Sequence, residues 1–140
     1  MSIDGLDDAT VAAVLQNTRR VALVGASANP TRAANSIQAL LQRRGYDVTP
    51  VNPGLAGQSL HGQVVVGSLD EAAPLDMVDV FRASEHVAPV VDDAIRLGAR
   101  VIWMQLGVID EAAATRARAA GITVVMDRCP AIEIRRLGIA

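Results

Sequence analysis

The residues best placed to do chemistry begin at Gly25. The apolar run Val21-Ala22-Leu23-Val24 stops there and gives way to Gly25-Ala26-Ser27-Ala28-Asn29-Pro30, small and hydrogen-bonding residues with Arg32 close behind. A strand that ends in glycine ahead of a helix can cradle phosphate with bare backbone N–H groups and the positive end of the helix. A dinucleotide fingerprint would ask for G-x-G-x-x-G, with an acid about 20 residues further on to hold a ribose. Only the first glycine is present, and Asn52-Pro53 stands where the acid belongs. The nicotinamide pattern fails at two independent places, so an NAD(P)-type module is only an alternative.

Four more segments of similar make-up each follow an apolar run. They are Asn52-Pro53-Gly54, Phe81-Arg82-Ala83-Ser84, Gln105-Leu106-Gly107 and Asp127-Arg128-Cys129-Pro130. If the apolar runs are parallel strands, all five segments lie on one rim, beyond the carboxyl ends, where open α/β sheets bind ligands. Turn formation would explain the Gly and Pro, but not the gathering of Asn, Arg and Gln. Cys129 has two readings. Arg128 beside it can activate the thiol, for a small enzyme acting on a thioester or nucleotide-linked metabolite. A buried, inert cysteine is the plainer reading and is favoured. His61 and His86 lack partners at catalytic or metal-ligand spacing and read as surface residues. Asp76 and Asp79 flank or stud a strand. Asp127 holds Arg128 or caps residues 130–135, Glu133 sits on a terminal helical turn, and Trp103 and Met104 are core.

The elements that must position this rim follow from periodicity. Val11, Val14 and Leu15 predict a helix capped by Asp7 or Asp8, within an N-terminal covering segment of residues 1–19. A second helix, capped by Asn35 or Ser36, runs through Ile37, Leu40 and Leu41 to Arg43-Arg44-Gly45. Residues 46–51 form a strand, 54–63 a surface loop and 69–73 a short helix capped by Ser68. Strands at 77–81, 100–104 and 123–126 then alternate with helices at 87–97, capped by Ser84, and at 110–120. Such alternation implies right-handed crossovers and a parallel sheet. The fold expected is a Rossmann-like, doubly wound, mostly parallel sheet of five to six strands, in a single domain over residues 1–140.

Composition agrees and excludes other classes. Hydrophobic residues make up 51% of the 140, charged residues 20% and aromatics 2%, so Val, Ile, Leu and Ala must build the core. Thirteen basic and fifteen acidic residues leave a net charge of −2, with no basic cluster or aromatic platform for nucleic acid. One cysteine rules out an internal disulfide and fits a reducing compartment. The acidic start lacks the basic and apolar stretches of a signal peptide, and no run is long enough for a membrane span. A cytoplasmic protein is expected. Its apolar helix faces leave room for a homodimer or an unknown protein partner.

Five stretches together carry a family resemblance. They are Val21-Ala22-Leu23-Val24-Gly25-Ala26-Ser27 through Pro30, Gly45-Tyr46-Asp47-Val48 through Asn52-Pro53, and Asp76-Met77-Val78-Asp79-Val80-Phe81-Arg82. Trp103-Met104-Gln105-Leu106-Gly107-Val108 and Val125-Met126-Asp127-Arg128-Cys129-Pro130 complete the set. In this order and at these separations, over residues 20–137, the chain resembles small coenzyme A-binding proteins. Their domain is similar to the nucleotide-binding domain of the succinyl-CoA synthetase alpha subunit. The resemblance implies coenzyme A or an acyl-CoA as ligand. Gly25, Ala26 and Ser27 would lie against the pyrophosphate, with Pro30 shaping the loop. Asn52 and Pro53 would lie near the adenosine, Phe81 and Arg82 beside the ligand, and Gln105 with Gly107 on the opposite wall. The chain departs from the family pattern at Ala33-Ala34-Asn35, where Arg32 is the substitute phosphate partner. Such a domain lacks the synthetase's phosphohistidine and ligase parts, so the resemblance implies binding and not ligation; the residues themselves mark no catalytic residue and no metal site.

Overall fold

The computed structural model describes residues 2–139. Helix α1 (Asp8–Asn17) is capped by the Asp7 side chain, which accepts from the Thr10 N–H. It leads into β1 (Arg20–Val24), then α2 (Ala33–Arg43) and β2 (Asp47–Val51). A short hairpin of β3 (Ser59–Leu60) and β4 (Gln63–Val64) follows, then the single turn α3 (Leu69–Ala72). The chain continues through β5 (Met77–Val80), α4 (Val87–Arg96), β6 (Val101–Met104), α5 (Glu111–Ala119), β7 (Thr123–Val125) and α6 (Pro130–Arg136).

Five strands form one parallel sheet in the order β2-β1-β5-β6-β7. Its residues are almost all buried, as expected for a sheet covered on both faces. On one face lie α3, α4 and α5, whose buried residues pack with Val78, Val80, Ile102 and Met104. On the other, α1, α2 and α6 pack with Leu23, Met77, Trp103 and Val125. Strand order reverses between β1 and β5, and that junction is where such a fold opens a crevice.

Three local expectations change. Helix α2 starts at Ala33, not after Asn35, and no side chain caps it. Asn35 instead donates from Nδ2 to the Ser27 carbonyl and places Oδ1 3.0 Å from His61 Nε2. Residues 54–63 are not plain loop. His61 and Gly62 both have positive φ, the two-residue turn that matches strand twist, and they close the β3–β4 hairpin. Ser84 does not cap α4; it lies in a 3₁₀ turn (Ser84–His86), and its Oγ accepts from the Ile109 N–H and donates to the Gly107 carbonyl.

Asp79 is fully buried in the middle of β5, level with Leu23 and Trp103, and neither carboxylate oxygen has a partner. Burial pushes its carboxyl well above the usual range. The folded protein therefore keeps a proton that the unfolded chain releases above about pH 4, so stability falls as pH rises from there. Asp79→Asn removes this linkage. Urea midpoints should show the variant more stable than the parent at neutral pH, with the difference shrinking toward about pH 4.

Candidate functional site

At the switch point, β1 ends in Gly25 with φ +92°. A Cβ there would collide with the Phe81 carbonyl oxygen and stand 2.9 Å from its carbon. Only glycine lets the two strand ends lie this close, since L side chains disfavour positive φ and this space is already filled. The Phe81 N–H still donates to the Val24 carbonyl at 2.8 Å, extending the β1–β5 ladder to the rim.

Around this junction lies an open cavity of about 730 Å³, a volume suited to a small-molecule ligand. Of the residues singled out in the sequence, Gly25, Ala26, Ser27, Arg32, Asn52, Pro53, Phe81, Arg82, Gln105 and Gly107 line it. Pro30 does not; it is exposed on the turn that Asn29 closes by accepting from the Thr31 N–H. The structure adds Ala33, Ala34 and Ile37 from α2, together with Leu106, Val108 and Cys129. Small residues in the first turn of α2 were the missed signal, because they leave the helix terminus open to a ligand.

Hydrogen bonding divides the lining into struts and free groups. The N–H groups of Gly25 and Ala26 both donate to the Val51 carbonyl, at 3.0 and 3.2 Å. Asn52 donates to the Ala26 carbonyl and accepts from the Gly54 N–H, tying two loops together. The N–H groups of Ser27, Ala33 and Ala34 have no partner among the described residues. These donors and the uncapped, acid-free start of α2 form the electropositive floor. On the opposite wall Gln105 is only 6% exposed, and its Oε1 is buried without a hydrogen-bond partner.

Charge in the cavity is one-sided. Arg32 and Arg82 are exposed there and join no ion pair among the described residues. Among the described residues no Asp or Glu lines it, although the chain as a whole is net negative.

The far wall is held from below. Asp127 accepts from the Gly107 N–H at 2.7 Å, fixing the loop after β6. It neither pairs with Arg128 nor caps α6, whose N-cap position is Cys129. The Arg128 guanidinium turns inward, bidentate to Asp4 at 2.8 and 2.9 Å and 2.6 Å from Glu133. Cys129 is half-buried, and the Trp103 indole donates to the Arg128 carbonyl at 2.8 Å.

The chain matches the family model of the CoA binding domain over residues 19–135. It belongs to that family. The uncharacterized protein YneT of Bacillus subtilis (strain 168) is 36% identical over 122 residues, which span 86% of this chain and 89% of YneT. A solved structure of a hypothetical protein from Pyrococcus horikoshii OT3 is 36% identical with a TM-score of 0.92, covering 98% of this chain and 96% of its own. A Thermus thermophilus structure is 33% identical with a TM-score of 0.89, covering 94% and 99%. In this CoA-binding domain the matched region spans every strand of the sheet and all the cavity loops. Among the described residues no helix is long and apolar enough to cross a membrane.

Proposed function

We propose that the protein binds coenzyme A or an acyl-CoA in this cavity, as a binding module with no catalysis of its own. The observation that carries the reading is the electrostatic asymmetry: two unpaired arginines, no carboxylate and an open helix terminus around a glycine-pinned crevice. A ligand rich in phosphates and carrying amide groups suits that set. Its phosphates match the guanidinium groups and the free N–H groups of Ser27, Ala33 and Ala34. Its pantetheine amides pass Gln105, whose side chain forms part of the opposite wall. Gly25 and Ala26 shape the floor and Pro30 the outer turn. Pro53 lies beside Asn52 at the adenosine end, and Phe81 and Gly107 supply surface on either side. A reducing cytoplasm suits a chain whose single cysteine stands half-buried in the cavity wall.

The arginines give the test. Arg82→Ala should weaken coenzyme A binding about fivefold, an exposed charge-assisted contact of about 1 kcal/mol. Arg32→Ala with Arg82→Ala should weaken it further and flatten its dependence on salt. Equilibrium dialysis at two ionic strengths measures both effects. Unchanged affinity in the double variant would remove the phosphate pose.

A further inference from the structure

Four large apolar side chains stand exposed among the described residues, and three of them gather in one place. Ile3, Leu106 and Ile132 are 48%, 56% and 53% exposed, and all three line a crevice of about 360 Å³ beside the main cavity. Polar groups there are already engaged within the protein. Asp127 accepts from Gly107, Arg128 is locked to Asp4 and Glu133, and Ser2 donates to Asp4. The crevice is of mixed character, and what it offers a visitor beyond those engaged groups is the exposed aliphatic surface of Ile3, Leu106 and Ile132.

Leu106 and Cys129 line both recesses, so the crevice begins where the cavity ends. The phosphate-binding groups lie at the other end, at the tips of β1 and β5. Cys129 follows β7, three strands along from β1, about 14 Å at the usual spacing of about 4.8 Å. A pantetheine arm leaving the Gly25 loop and passing Gln105 brings its sulfur to Leu106 and Cys129. We infer that the crevice seats the acyl group of the ligand, which makes an acyl-CoA with an apolar chain the preferred partner over free coenzyme A. This inference rests on the coenzyme A reading above. A second copy of the chain fits the patch less well. Three side chains around a narrow crevice are far from the roughly 1,200 Å² that a stable protein interface buries.

The test is calorimetric titration of the full chain with coenzyme A, acetyl-CoA and hexanoyl-CoA. Half-burial of each methylene gives about twofold in affinity, so hexanoyl-CoA, with four more of them, should bind about fifteenfold tighter than acetyl-CoA. Ile132→Asp should abolish that preference and leave free coenzyme A binding unchanged, which also shows that the variant folds. Ile3→Ser should reduce the preference severalfold. Equal affinity for the three ligands would overturn the inference and leave the coenzyme A reading standing. A chain-length preference that survives in Ile132→Asp would also overturn it. So would sedimentation showing a dimer that Ile132→Asp dissolves, with no chain-length preference. Failure of all three ligands to bind would remove the coenzyme A reading itself, and this inference with it.

Discussion

Gly25→Ala should lower the melting temperature by about 12 °C and abolish coenzyme A binding at concentrations that saturate the parent. Positive φ costs an L residue about 1–2 kcal/mol. The added methyl group also meets the Phe81 backbone, where overpacking costs about 1–3 kcal/mol more. A total of about 3 kcal/mol, at about 4 °C per kcal/mol for a chain of this length, gives the shift. The clashing atoms are main-chain, so relief requires β1 and β5 to separate at the rim, where the cavity is formed. Ser27→Ala is the control. Its hydroxyl holds only the Asn29 N–H of its own turn, and its loss should leave the melting temperature nearly unchanged. Scanning calorimetry and titration of both variants check the pair. A Gly25→Ala protein with parental stability would show that the strand ends can part freely.

Arg128→Ala is the second large effect, at about 3–5 kcal/mol of stability. Its guanidinium lies between Asp4 and Glu133, and the three side chains are 11%, 0% and 7% exposed. Removing the cation leaves the buried Asp4 carboxylate without its ion-pair partner and Glu133 with Arg136 alone, far costlier than replacing the whole cluster by apolar groups. Burial pushes the Asp4 carboxyl up, but hydrogen bonds from Arg128 and from the Leu6 and Met126 N–H groups outweigh it and hold the group well below its usual range. Glu133 is likewise raised by burial and lowered more by Arg136 and Arg128. Both acids therefore stabilise the fold above about pH 4, and that contribution is lost as pH falls through their depressed folded values. In Arg128→Ala the acid-side loss should begin at a higher pH. Arg128→Met combined with Asp4→Asn should recover part of the stability, as measured by urea unfolding. Because the cluster ties the N-terminal turn to the β7–α6 loop, its loss should also loosen the wall at Cys129.

How much of this was legible in the sequence depended on the range of the interactions. The apolar run ending at Gly25 and the rhythm of strands and helices are local, and they mark the sheet and its rim. Capping side chains misled where long-range contacts took them over. Asn35 looks like the cap of α2, yet it reaches back to Ser27 and across to His61. Ser84 looks like the cap of α4, yet it holds the loop after β6. Arg128 reads as the neighbour of Asp127, whereas its strongest partner, Asp4, lies 124 positions away. No periodicity joins such distant residues, and the same is true of Ile3 and Ile132. Asp79 reads as an acid that flanks or studs a strand, but only the closed sheet shows that it is fully buried there and unpartnered among the described residues.

The central claim is the ligand, and one titration addresses it most directly: the purified protein against coenzyme A, dephospho-coenzyme A, NAD and ATP. Micromolar binding of coenzyme A, weakened when the 3′-phosphate is missing and much weaker for NAD and ATP, is the result expected from an acid-free cavity with two free arginines. No binding of coenzyme A, or a preference for NAD, would contradict the account.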